Sequence, residues 1–183
     1  GSGYSYLRNV RRGKPNGNWS ATWRDAESGI ALRAIFAPTD EAVLAHGEPS
    51  RRPNNPRELD YVILRNTGEG IRSRFISAIE PVEGEAQIES IEVVTQTDTS
   101  VTVKVRHALG TDLITHTVSP SGSTFSLQRS NPDGSLARLI QVGPGSQSAG
   151  GQQLAIDGAL SGRVVSVAPE TSSIEIERDR DSL

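Results

Sequence analysis

Residues 11–25 read RRGKPNGNWSATWRD and hold both tryptophans of the chain, Trp19 and Trp23, beside Arg11, Arg12, Lys14 and Arg24. An indole is a flat apolar surface with one N–H donor, and a guanidinium is a planar fork of donors that matches carboxylate or sulfate oxygens. Sugar rings have apolar faces that stack on indoles. Side by side, these groups have the chemistry to hold an anionic polymer built of rings. If residues 19–24 are extended, alternation sends Trp19, Ala21 and Trp23 to one face and Ser20, Thr22 and Arg24 to the other. Two fates compete for the tryptophans: an exposed platform for a ligand, or core anchors in a chain with only three Tyr and three Phe besides them.

Further arginines extend the candidate surface. Arg51 and Arg52 sit in HGEPSRRPNNPRE, residues 46–58, a long segment rich in Pro, Asn and charge. Long connections within compact domains often carry function. Arg72 and Arg74 are expected on one face of a strand, opposite Ile71, Ser73 and Phe75. The candidate anion-binding set is therefore Arg11, Arg12, Lys14, Trp19, Arg24, Arg51, Arg52, Arg72 and Arg74. The competing reading is a solvated face with local ion pairs, each contributing little.

Other chemistries find less support. The chain has no cysteine, so thiolate nucleophiles, thiolate metal ligands and disulfides are excluded. Its three histidines, His46, His107 and His116, show neither HxH nor HExxH spacing, so no zinc site is expected. No GxSxG elbow and no phosphate-cradling glycine loop occurs. Glu83 and Glu85 would share a face of an extended strand and could pair as acid and base, but a surface acid cluster is the commoner outcome. Calcium is compatible with a β-sandwich module, yet no Asp/Asn loop identifies ligands and no cofactor is expected. The slightly acidic net charge of −3 and the lack of helix-based or RNP-type motifs argue against nucleic acid. No apolar run approaches the ~18 residues of a membrane span.

The elements that must position these residues are strands. Val101, Val103 and Val105 alternate with Thr102, Lys104 and Arg106, and Ile174 and Ile176 alternate with Glu175 and Glu177. A period of two places one set on a packed face. NPDGS at 131–135 presets a tight turn, and ALGTD at 108–112 and NTGEG at 66–70 are expected to close hairpins. Residues 39–46, TDEAVLAH, could form a short helical turn, and GPGSQSAGGQQ at 143–153 reads as a loop. The expectation is an all-β, antiparallel, jelly-roll-like β-sandwich of 12–14 strands. One domain over 4–178 is expected, with residues 1–3 an expression scar and 179–183 a disordered tail. Charge is uneven: residues 1–74 carry twelve Lys/Arg against eight Asp/Glu, and residues 75–183 carry seven against fourteen.

The order YLRNVRRG, GNWSATWRD, SGIALRAIFAP, LDYVILRNTG, SRFISAIEPVEG and IESIEVV resembles the C-terminal β-sandwich region of heparinase II/III-like polysaccharide lyases. Trp19, Trp23, Gly29, Leu32, Arg33, Arg65, Phe75, Glu80 and Pro81 occupy the matching places. The resemblance covers residues 6–95 and implies a uronic-acid-containing or sulfated polysaccharide as ligand. It also implies the catalytic toroid of a parent chain as partner, and a secreted, periplasmic or cell-surface bacterial location. It carries over no acid, base or metal ligand. The reading it favours is a non-catalytic carbohydrate-binding module. A purely structural domain supporting the toroid is the alternative, followed by an adhesion module and an independent enzyme.

Overall fold

In the computed structural model, residues 6–48, 56–120, 122–156, 162–168 and 173–178 are described. They form fifteen strands and, among the described residues, no helix. The protein is all-β, with antiparallel sheets. The strand count exceeds the expected upper figure by one. Contacts divide the chain into two compact units. The first runs to Glu92 and includes Arg106–Ala108; the second comprises Val93–Val105 and the chain from Leu109 onward.

The first unit contains two three-stranded sheets. One has the order β1 (Leu7–Gly13), β4 (Glu41–Gly47), β5 (Leu59–Arg65). The other has the order β2 (Trp19–Arg24), β3 (Ala31–Phe36), β6 (Ser77–Val82). Small apolar side chains fill its core: Ala31, Ala34, Ile35, Ala42, Val43 and Ala45 are all buried. Residues 39–46 are not helical. Isolated helices this short are marginal in water. As β4, the apolar run instead gains a hydrogen-bonded ladder on each side, from β1 and β5.

Residues 66–70 do not close a hairpin either. β5 and β6 belong to different sheets, and residues 71–76 between them are not a strand. Gly68 and Gly70 break the extended run, as expected of turn residues, but a break does not dictate which sheet the chain joins next. Glu83 and Glu85 fall in the bend around Gly84, so they share no strand face.

Glu80 is the most constrained group of this unit. It is 7% exposed. In register it lies opposite Arg33, whose Nη1 donates to Glu80 Oε1 at 2.9 Å and to the carbonyl of Ile88 at 2.8 Å. The backbone N–H groups of Gln87 and Ile88 donate to Glu80 Oε2 at 2.9 and 3.1 Å. One carboxylate thus ties β3 to β6 and to the start of β7 (Ile88–Gln96). Burial alone raises its pKa, but the two N–H groups and Arg33 outweigh burial and hold it below its ordinary value.

The second unit is built on the sheet order β11 (Leu136–Val142), β10 (Gly122–Ser130), β9 (Gly110–Ser119), β8 (Ser100–His107), β7. The turns at 108–109 and 131–135 join β8 to β9 and β10 to β11 as the sequence suggests. Asp112, buried, receives both Arg129 Nε and Nη2 at 2.6 Å from the directly opposed position on β10. Residues 143–153 are not a loop. They hold most of the hairpin β12 (Gly145–Ala149) and β13 (Gln152–Ile156). Gly150 and Gly151 have φ of 55° and 74°, the pair of positive values a two-residue type I′ turn needs. The remaining hairpin pairs β14 (Gly162–Ala168) with β15 (Ser173–Arg178).

Glu80→Ala is expected to destabilise the protein by about 3 kcal/mol, because it leaves Arg33 and two backbone donors without their acceptor. A carboxyl held low in the folded state stabilises above its unfolded pKa. That contribution drains away as pH falls through the folded value. Chemical denaturation from pH 7 down to pH 3 should therefore show a loss of stability below about pH 4.3 that Glu80→Gln flattens.

Candidate functional site

β2 is held between a turn and an anchor. Asn18, just before it, accepts the backbone N–H of Ile91 at 2.9 Å and donates to the carbonyl of Phe36 at 3.5 Å. At its other end Asp25 accepts the N–H and hydroxyl of Ser28, and Arg24 donates to the carbonyl of Gly29 at 2.6 Å. Gly29, with φ of 74°, completes this turn into β3. Arg24 is thereby committed to a backbone carbonyl.

Trp19, Ala21 and Trp23 do share one face of β2, all half-buried, while Ser20, Thr22 and Arg24 are exposed on the other. Neither competing fate holds in full. Trp19 stacks on the directly opposed Phe36 with ring centroids 4.5 Å apart, an anchor's role. Its ring also walls a groove of about 310 Å³ with Arg11, Arg12, Lys14, Pro15 and Leu44. The indole N–H of Trp19 is buried with no hydrogen-bond acceptor among the described residues. Trp23 borders a neighbouring hollow of about 250 Å³, shared with Arg11, Thr22, His46, Asp60 and Tyr61. Arg11 and Leu44 line both spaces, so the two hollows lie side by side.

Among the described residues, several of the basic side chains are met by acids. Arg8 is paired with Glu48, and Glu41 accepts from both Arg12, at 3.3 Å, and Arg65, at 2.7 Å. Arg12 and Lys14 also border a wider depression of about 500 Å³ with Asp40, Glu41, Arg65 and Thr67, where acid and base offset each other. There the backbone N–H of Thr67 holds the Asp40 carboxyl below its ordinary value against the opposing effect of desolvation, with help from the Thr67 hydroxyl and the charge of Lys14. Arg11 has no hydrogen bond or ion pair among the described residues, and Lys14 no hydrogen-bonded one.

Of the nine residues expected to bind, the structure brings together Arg11, Arg12, Lys14 and Trp19. Arg24 turns away to its own hairpin, and Arg51 and Arg52 lie outside the described residues. Arg72 and Arg74 are not on one strand face, because residues 71–76 are irregular. Leu44, His46, Asp60 and Tyr61 were not anticipated. Reading 39–46 as a strand pairing with LDYVILR would have found them, since the β4–β5 register sets His46 opposite Asp60 and Leu44 opposite Val62. Among the described residues no group of three or more His, Asp or Glu is placed to hold a metal ion.

No protein-family profile matches the chain, and no curated protein or solved structure is significantly similar to it. The likeness to heparinase II/III-like lyases therefore rests on the strand signatures alone.

Trp19→Phe is expected to cost less than about 1 kcal/mol, since the ring contact with Phe36 survives and an unpaired buried donor disappears. Trp19→Ala should cost about 2–3 kcal/mol through lost packing. Thermal unfolding of the two variants against the parent chain checks the difference.

Proposed function

We propose that the protein is a non-catalytic module that binds an acidic polysaccharide along the groove between β1, β2 and β4. One observation carries the reading: Arg11 and Lys14, free of hydrogen-bonded acids, stand beside the half-buried indole of Trp19 in one open groove. The guanidinium and ammonium would engage carboxylate or sulfate groups, while the indole edge and Pro15 offer apolar surface to a ring. Arg12, already shared with Glu41, contributes less. Asp40, Glu41 and Asp60 flank the groove, so a bound glycan would present its anionic groups to Arg11 and Lys14 and its neutral parts to these acids. The parent chain's catalytic domain and a secreted, periplasmic or cell-surface location in a bacterium belong to the same proposal.

A second reading, a structural domain that docks on a neighbouring domain, is favoured by apolar side chains left open on β3 and β6. Leu32 and Ile79 are 47% and 62% exposed. In register they lie opposite Pro81 and Ala34 on one face of the sheet.

Affinity electrophoresis in gels containing alginate, pectate, chondroitin sulfate or heparin separates the two. The binding reading expects retardation by at least one polymer, relieved by added salt as exposed charge pairs are screened. Arg11→Ala and Lys14→Ala should each weaken it roughly three- to tenfold, and Glu41→Gln should strengthen it by removing a negative charge beside Arg12. Migration unchanged in all four gels at low salt would leave the docking reading.

A further inference from the structure

We infer that the hollow bordered by Trp23, His46 and Asp60 is a second subsite, one that takes an uncharged, hydroxyl-bearing ring next to the anionic group held by Arg11. The inference rests on the anion-binding reading only for the continuity of one ligand across Arg11. The subsite itself stands on its own geometry.

His46 Nδ1 lies 2.7 Å from Asp60 Oδ1. That contact places a proton on Nδ1 and leaves Nε2 as the free position of the ring. Nε2 has no acceptor or donor among the described residues and is not among the buried unsatisfied atoms, so it is open to a ligand. The Asp60 side chain is 61% exposed, so its second oxygen is available too. The hollow thus offers Nε2 of His46, a carboxylate oxygen of Asp60 and one strong donor, Arg11. Groups that both donate and accept satisfy such a mixture, and hydroxyls do. A second carboxylate or sulfate would meet the charge of Asp60, and a cation would meet Arg11.

Size and walls agree with a ring. The volume of about 250 Å³ is below the ~300–1,000 Å³ of pockets that enclose drug-sized ligands. Trp23 supplies an apolar wall, as an indole does for the faces of pyranose rings. Trp19 and Trp23 stand four residues apart on one strand face, a rise of about 13 Å, so non-adjacent rings of one extended chain would reach both. The charged or titratable groups nearest His46 are Arg11 and Arg8 on β1, Glu48 beyond the end of β4, and Asp60 and Tyr61 on β5. Arg8 and Glu48 satisfy each other.

The chain has only two tryptophans, so a ¹⁵N-labelled sample shows one indole resonance for each groove. Trp19→Phe and Trp23→Phe assign them. Titration with cellotetraose, xylotetraose and mannotetraose should shift the Trp23 and His46 signals with at least one of the three, leaving Trp19 unmoved. Tetragalacturonate, charged on every ring, should shift the Trp19 indole. Asp60→Asn, with folding checked by its unchanged backbone spectrum, should weaken the Trp23-reported dissociation constant by roughly tenfold, the loss expected for a hydrogen bond to a charged acceptor. His46→Gln is the second variant should Asp60→Asn misfold, with the same direction expected. A Trp23 signal that stays still with every sugar, while Trp19 responds to tetragalacturonate, overturns the subsite and keeps the anion-binding reading. Trp23 responding to neutral sugars with Trp19 silent throughout keeps the subsite and removes the anion-binding reading. Silence at both indoles removes both.

Discussion

A carboxylate taken almost wholly out of water survives only if nearly every lone pair finds a donor, and Glu80 meets that demand with Arg33, Gln87 and Ile88. Arg33 in turn reaches the Ile88 carbonyl. The result joins a central strand, an edge strand and the bend that leads out of it. β3 sits between β2 and β6, so whatever fixes its register fixes where Trp19 and Trp23 point. A slip of one residue would turn Glu80 and Arg33 to the other face and leave a buried charge unpaired. Asp112 and Arg129 play the equivalent part in the second unit, again from directly opposed positions on neighbouring strands. In each unit a cross-strand ion pair with a buried carboxylate thus penalises misregistration.

Local pattern spoke clearly in this chain about strands and less clearly about partners. The strand at 101–105 and the tight turns at 108–109 and 131–135 are backbone-local events and the structure shows them, although only Val103 of that strand is buried and Thr102 and Lys104 are as half-buried as Val101 and Val105. The link from β5 to β6 is not local. Gly68 and Gly70 announce a break, but the sheet that receives the next strand is chosen by what packs, and Ile71 and Phe75 remain largely exposed between the two. Residues 39–46 have helix-compatible composition, yet a strand flanked on both sides satisfies more backbone groups than a helix of two turns. At 143–153 the glycine content suggested looseness, whereas Gly150 and Gly151 are the residues that permit the tightest hairpin turn.

The candidate site shows the same division. Arg11, Arg12, Lys14 and Trp19 are close in sequence, and proximity along the chain carried over to proximity in space. Among the described residues, acids from elsewhere in the fold offset much of the arginine surplus of residues 1–74: Glu48 meets Arg8, Glu41 meets Arg12 and Arg65, and Glu80 meets Arg33. Formal charge counted along a segment ignores these meetings. His46 and Asp60 escaped notice for the complementary reason, since fourteen positions of chain separate two residues that the β4–β5 register sets opposite each other.

Why a groove exists here at all follows from side-chain size. Trp19 on β2 borders β1 and β4 where the directly opposed pair is Gly13 and Ala42, two of the smallest residues available. A large ring over small partners leaves space that Leu44 only partly fills, and Arg11 and Lys14 border that space without closing it. Larger side chains at 13 and 42 would take up part of the open space beside the tryptophan. Its half-buried state, stacked on Phe36 yet lining open space, is therefore a consequence of its neighbours' volume. Aromatic stacking gives the wall rigidity, and small residues opposite give it access.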